Sequence, residues 1–156
     1  MVPDGTADAS RTATWLPLAS VMDPDVASVR DHTPLRQVLD FFSTYPYSIC
    51  PVLDAHGTLC GLVRLSTVRP LLAKEDLWPS LIAADVSEPA PLALDPRMNL
   101  QAALDLMARH GYREMMVAEP EARLFVGVLS LDRAEQAIQE AELRQAQEQS
   151  NRPAIA

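Results

Sequence analysis

The chain has 156 residues, 48% hydrophobic but only 5% aromatic, so aliphatic side chains must build one compact core or two small repeated ones. A net charge of −8 repels phosphate backbones and anionic lipid, which argues against nucleic acid or a lipid surface as partner. No stretch reaches the roughly 18 consecutive apolar residues of a membrane span, no charged-then-apolar leader opens the chain, and Cys50 and Cys60 lack a C-x-x-C spacing, as small buried residues in a reducing compartment do.

In chain order, Met1–Thr14 is small and polar and reads as disordered, inside a flexible leading segment over 1–19. A short strand over Val26–Val29 comes next. A helix follows, with Thr33 as N-cap, Pro34 at its first position, and Leu35, Val38, Leu39 and Phe42 as an i, i+3, i+4, i+7 stripe. Then come a strand over Ile49–Leu53, the turn Asp54-Ala55-His56-Gly57, a strand over Leu59–Val63 and a closing helix carrying Val68, Leu71 and Leu72. Pro51 cannot donate to a ladder and belongs at an edge or a strand start. The same order returns after a linker over 75–84. It runs through Leu92–Leu94, a helix with Leu100, Ala103, Leu104 and Met107 that exits at Gly111, a strand over Met115–Ala118, the turn Glu119-Pro120-Glu121-Ala122 and a strand over Leu124–Leu129. A last helix runs from Arg133 to about Gln149 and has no large apolar residue beyond Leu143.

The two units are copies at an offset of 65 residues. That offset pairs Val21 with Val86, Pro24 with Pro89, Leu35 with Leu100, Asp40 with Asp105, Tyr47 with Tyr112 and Val52 with Val117; after one inserted residue Gly61 matches Gly127. Each unit reads β-α-β-β-α, with a core too small to stand alone. The predicted fold is mixed α/β (α+β): two β-α-β-β-α repeats packed through their sheets with pseudo-two-fold symmetry. The first repeat spans 20–74, the second 85–140, and a helix end and tail 141–156.

Signatures of chemistry are few. The five glycines form neither a P-loop nor a G-x-G-x-x-G fingerprint. His32, His56 and His110 are scattered, without metal-ligand spacing. No G-x-S-x-G elbow is present, and no nucleophile–base pair stands out. The expectation is a protein that is not an enzyme and holds no metal.

The wording of the repeats carries a resemblance. "V-x-D-x-T-P-L-x-x-V-L" followed by "P-V-L-D-x-x-G-x-L-x-G-L-V" over 29–63, and "L-x-x-A-L-D-L-M-x-x-H-G-Y" followed by "V-G-V-L-S" over 100–130, resemble the CBS domain twice in tandem. "L-I-A-A-D-V" at 81–86, "G-L-V-R-L-S-T-V-R-P-L-L" at 61–72 and "Y-S-I-C-P-V-L" at 47–53 resemble the cytoplasmic CBS pair of ClC-type chloride channels and transporters. The resemblance implies a regulatory module on the cytoplasmic face of a membrane, partnered by a ClC transport domain, that modulates ion transport and senses ATP, ADP or AMP. It also implies a homodimer, through the closing helices with Val68, Leu71 and Leu72. Two alternatives stay open: a ligand-free dimerisation module, and a stand-alone CBS pair regulating an unrelated partner.

In that family adenosine nucleotides lie between the repeats, and an aspartate ending a G-h-h-S/T-x-x-D motif grips ribose. By resemblance Tyr47 meets the base, with Ser48 beside it and Ser28 as a weaker contributor. The alternative for Tyr47 is a partly buried ring with its hydroxyl in water. The second copy reads Gly127-Val128-Leu129-Ser130-Leu131-Asp132-Arg133, so Ser130 is in place but Arg133 holds the aspartate position. Asp132 comes one residue early, which turns a helical side chain by about 100°: it reaches ribose if the loop adjusts, and otherwise suits helix capping. The first copy, Gly61 to Thr67, has no aspartate. Arg64 and Arg133 read as solvated arginines, with phosphate contact the alternative.

Overall fold

The computed structural model describes Ala13, residues 15–89 and residues 92–151. Apart from Ala13, which is buried, the stretch Met1–Thr14 lies outside the described residues. The elements that follow are β1 (Val29–Arg30), α1 (Leu35–Thr44), β2 (Ile49–Leu53), β3 (Leu59–Arg64), α2 (Leu65–Val68), α3 (Ala83–Val86), β4 (Ser87–Pro89), α4 (Leu100–His110), β5 (Glu114–Ala118), β6 (Phe125–Ser130) and α5 (Leu131–Ser150). Short 3-10 segments occupy Leu18–Ser20, Arg69–Ala73 and Glu75–Ser80.

The repeat read from sequence is a repeat in space. β1 pairs parallel with β2 at Val29–Val52, and Leu94 bridges Val117 in parallel at the 65-residue offset. β2–β3 and β5–β6 are antiparallel hairpins, each with a register shift at the equivalent place, after Val52 and after Val117. Gly57 turns one hairpin in the left-handed region at φ 81°; Arg123 does the same for the other at φ 54°. The tips meet, with Leu59 N–H donating to Arg123 O and Phe125 N–H to Gly57 O.

The segment leading into each repeat packs on the other repeat. Leu18 N–H donates to Met98 O and Leu100 N–H to Leu16 O; equivalently, Ala83 N–H donates to Thr33 O and Leu35 N–H to Leu81 O. Asp23 bridges Val128 on β6, as β4 pairs Glu88 with Leu62 on β3. The stretch 81–86, which spans the expected linker end and the start of the second repeat, therefore lies against the first. Leu16–Leu18, inside the segment expected to be flexible, is fixed against α4.

Two apolar clusters result, and both are shared. The first holds Leu35, Val38, Phe41, Val52 and Val63 together with Met116 and Val128. The second holds Leu100, Met107, Val117 and Leu129 together with Leu18 and Val21. A fully buried Val or Leu contributes roughly 1.5–3 kcal/mol relative to exposure.

Several local expectations change. Thr33 does not cap α1: its hydroxyl accepts from Arg30 N–H at 2.8 Å and closes a turn, and Pro34 holds the cap position. Phe41 fills the core fully, where Phe42 was expected; Phe42 meets it edge-on at 5.4 Å. The helix closing the first repeat is one turn, α2, because Pro70 lacks the N–H needed to continue it and the chain passes into 3-10 geometry. Val68 belongs to the core, not to an outer face. Pro51 lies in a central strand, but β1 meets β2 only from Val52 onward, so no β1 partner stands opposite it. Cys60 is exposed, not buried.

Candidate functional site: two clefts between the repeats

The pseudo-two-fold axis generates two equivalent clefts where each hairpin meets the segment led in from the other repeat. The first is bounded by the end of the α1–β2 loop and the start of α5. Tyr47 enters it buried, and its hydroxyl donates to Asp23 Oδ2 at 2.6 Å. That bond holds the Asp23 carboxyl below its ordinary range, while burial, followed by Asp23 itself, raises the Tyr47 phenol. The Tyr47 ring is thus buried and its hydroxyl is engaged by Asp23.

Ser48 gives both its backbone N–H and its hydroxyl to Glu114 Oε1, at 2.9 and 2.7 Å. Ser130, opposite Glu114 in the β5–β6 register, is buried and caps α5 by accepting from Arg133 N–H at 3.1 Å. Its oxygen is therefore engaged in folding. Asp132 is exposed and pairs with Arg113 at 3.5 Å in a solvent-screened contact. Arg133 Nε donates to Val21 O at 3.2 Å, so it ties down the leading segment and is not a free surface arginine. Ser28 is exposed just ahead of β1, and among the described residues no hydrogen bond joins it to the other four.

The second cleft places Tyr112 where the first has Tyr47, Glu88 where it has Asp23, and Arg64 where it has Ser130. It is open, with a volume of about 70 Å³. Ile49, Leu62, Met115 and Met116 form its apolar floor, and Arg64, Glu88, Tyr112 and Glu114 its polar wall. Arg64 Nε donates to Glu88 Oε1 at 2.6 Å, and the guanidinium lies 5.7 Å over the Tyr112 ring. His110 stacks on that ring at 5.6 Å. Tyr112 and Glu88 follow from the offset applied to Tyr47 and Asp23. Glu114 carries no such signal, since its counterpart is Ile49.

Burial pushes the Cys50 thiol up to about 12, which removes it as a nucleophile near neutral pH. Among the described residues no three His, Cys, Asp or Glu side chains are placed to hold a metal ion, and no helix is long and apolar enough to cross a membrane.

The CBS-domain family pattern matches residues 18–74 and again 83–140, most of the chain. The chain belongs to the CBS-domain family. Over part of its length it is similar to the magnesium transporter MgtE of Thermus thermophilus, 35% identical over 85 residues. That match takes in 49% of this chain and 19% of the relative, so the chain spans about a fifth of that protein's length. Two solved CBS structures share the fold. CBSX2 in complex with AMP superimposes with a TM-score of 0.69 at 20% identity, over 81% of this chain and 98% of that one. The CBS domain of a bacterial CNNM/CorC family Mg2+ transporter in complex with ATP gives 0.69 at 17% identity, over 85% and 96%.

Proposed function

We propose that this chain is the regulatory, non-catalytic CBS pair of a membrane ion-transport protein, on its cytoplasmic side, and that an adenine nucleotide binds in the cleft walled by Arg64, Glu88, Tyr112 and Glu114. The observation that carries the reading is the asymmetry of the two clefts: in one the Tyr47 ring is buried and its hydroxyl is held by Asp23, while the other keeps a cavity of about 70 Å³ walled by Arg64, Glu88, Tyr112 and Glu114. A tyrosine ring and a guanidinium plane suit a purine, and carboxylates accept from an exocyclic amine or a ribose hydroxyl. At about 70 Å³ the cleft is smaller than the roughly 300–1,000 Å³ of enclosed ligand sites, so binding requires the Arg64–Glu88 pair to part. One guanidinium against two carboxylates favours AMP over ATP unless a divalent cation accompanies the triphosphate. The resemblance to chloride-transporter modules has no counterpart among the relatives above. The ion transporters there move magnesium, and they favour that ion for the attached transport domain. Two copies associate through Leu72 and Leu77, apolar side chains left exposed on the 3-10 segments. A monomer at micromolar concentration by light scattering overturns that part.

Calorimetric titration with AMP, ADP and ATP tests the nucleotide reading. Saturable heat is expected, strongest for AMP without magnesium and weakened about tenfold, ~1.4 kcal/mol, by Arg64→Ala. A loss caused instead by Tyr47→Ala, with Arg64→Ala harmless, moves the ligand to the Tyr47–Ser48–Ser130–Asp132 side. No heat with any nucleotide favours the second reading, a ligand-free scaffold. That reading is supported by Arg133 in the ribose-aspartate position and by the closure of the first cleft.

A further inference from the structure

We infer that Ser48 and Tyr47 form a relay that reports the state of the open cleft to the leading segment of the chain, Leu16–Asp23. The inference rests on the nucleotide reading above and names how occupancy leaves the site. Glu114 stands in both environments. Its carboxylate walls the open cleft, and its Oε1 receives both donors of Ser48. A ligand amine or hydroxyl that donates to Glu114 competes with Ser48 for that oxygen. Ser48 is joined directly to Tyr47, whose buried hydroxyl has Asp23 as its partner. If the loop shifts, the hydroxyl carries Asp23 along or loses its bond, which is costly for a residue as buried as Tyr47.

Asp23 is the point where the leading segment is fastened to the second repeat. Its N–H donates to Val128 O at 2.8 Å, and its carbonyl accepts from Val128 N–H at 3.0 Å. Two residues upstream, Val21 O is held by Arg133 from the first turn of α5. The chain's incoming segment and its outgoing helix thus share one anchorage beside Tyr47. The path is one-sided. At the equivalent place in the open cleft, Tyr112 lies under Arg64, and Glu88 is taken by that same arginine. The residue matching Glu114 is Ile49, which has no carboxylate to connect the other way. A ligand moves such an equilibrium only by its different affinity for the two arrangements, and the contested oxygen of Glu114 supplies that difference.

Amide hydrogen exchange tests the relay, alongside calorimetry on the same samples. The Leu18 and Asp23 amides, bonded to Met98 O and Val128 O, are the reporters, and the amides of β2 are the reference. Saturating AMP is expected to change reporter exchange at least about threefold beyond any change in β2. Tyr47→Phe, which keeps the ring and removes the donor, is expected to bind AMP as before and to show no such change. Ser48→Ala, at an exposed site, is expected to reduce the response while leaving the fold intact. Heat without a change at the reporters overturns the relay alone, as does a full response in Tyr47→Phe. No heat from the wild-type chain removes the nucleotide reading and the relay with it.

Discussion

The hydroxyl of Tyr47 and the carboxylate of Asp23 shift each other's titration in opposite directions, and stability inherits both shifts. The Asp23 pKa is lowered from 3.8, so its contribution is full above that value and is lost as pH falls through the lowered one. The Tyr47 pKa is raised from 10.0, so its contribution is full below pH 10 and is lost as pH rises further. Urea midpoints should form a plateau between about pH 4 and pH 9, because the raised Cys50 and Cys60 thiols begin an alkaline decline above 9.0 that the Tyr47 phenol continues above 10.0. In Tyr47→Phe the alkaline decline due to this phenol should disappear and the acid decline should shrink. Ser130 is a residue whose place was legible but whose work was not. Its hydroxyl caps α5, so Ser130→Ala should cost about 1 kcal/mol by denaturant unfolding, whether or not nucleotide is present.

At the scale of elements, the two glycines of the repeat motif sit where a led-in segment crosses a hairpin strand. A Cβ at Gly127 would lie 2.5 Å from Asp23 O, a backbone atom that cannot step aside. At Gly61 the nearest atom, Glu88 O, is 3.0 Å away. Gly127→Ala should therefore destabilise by roughly 1–3 kcal/mol, the scale of an overpacked core. Gly61→Ala should cost less, both read as shifts in urea midpoint. The caps divide unequally as well. Asn99 accepts from Ala102 N–H at 2.8 Å and caps α4, whereas Thr33, the better-looking cap in the sequence, closes a turn. Periodicity located both helices, but competing hydrogen-bond partners for Thr33 were invisible along the chain.

At the scale of the whole molecule, each core borrows from the other repeat, so neither half is complete. A fragment over 18–74 lacks Ile82, Ala83 and β4, which cover α1 and the edge of β3, and it lacks Met116 and Val128 from its core. It should remain largely unfolded by circular dichroism. Mixing it with a fragment over 75–140, which carries Leu81 and Ile82, should restore the signal, because the exchanged segments complete one another.

The sequence by itself determined the tandem repeat, the β-α-β-β-α order, most strand positions and the family. These are written in local periodicity, turn residues and a fixed offset, which survive without knowledge of any contact. Tertiary structure alone decided that residues 16–23 and 81–89 are exchanged between the repeats. The same hydrogen-bonding groups fit either copy, and only the path of the chain through space chooses between them. It also decided that the two equivalent clefts differ. Tyr47 and Tyr112 look alike in the sequence. One meets an aspartate and is sealed, while the other meets an arginine already held by Glu88 and remains at the wall of an open cleft. A side chain's availability depends on its partner across the fold, and that partner lies 24 residues away from Tyr47 along the chain.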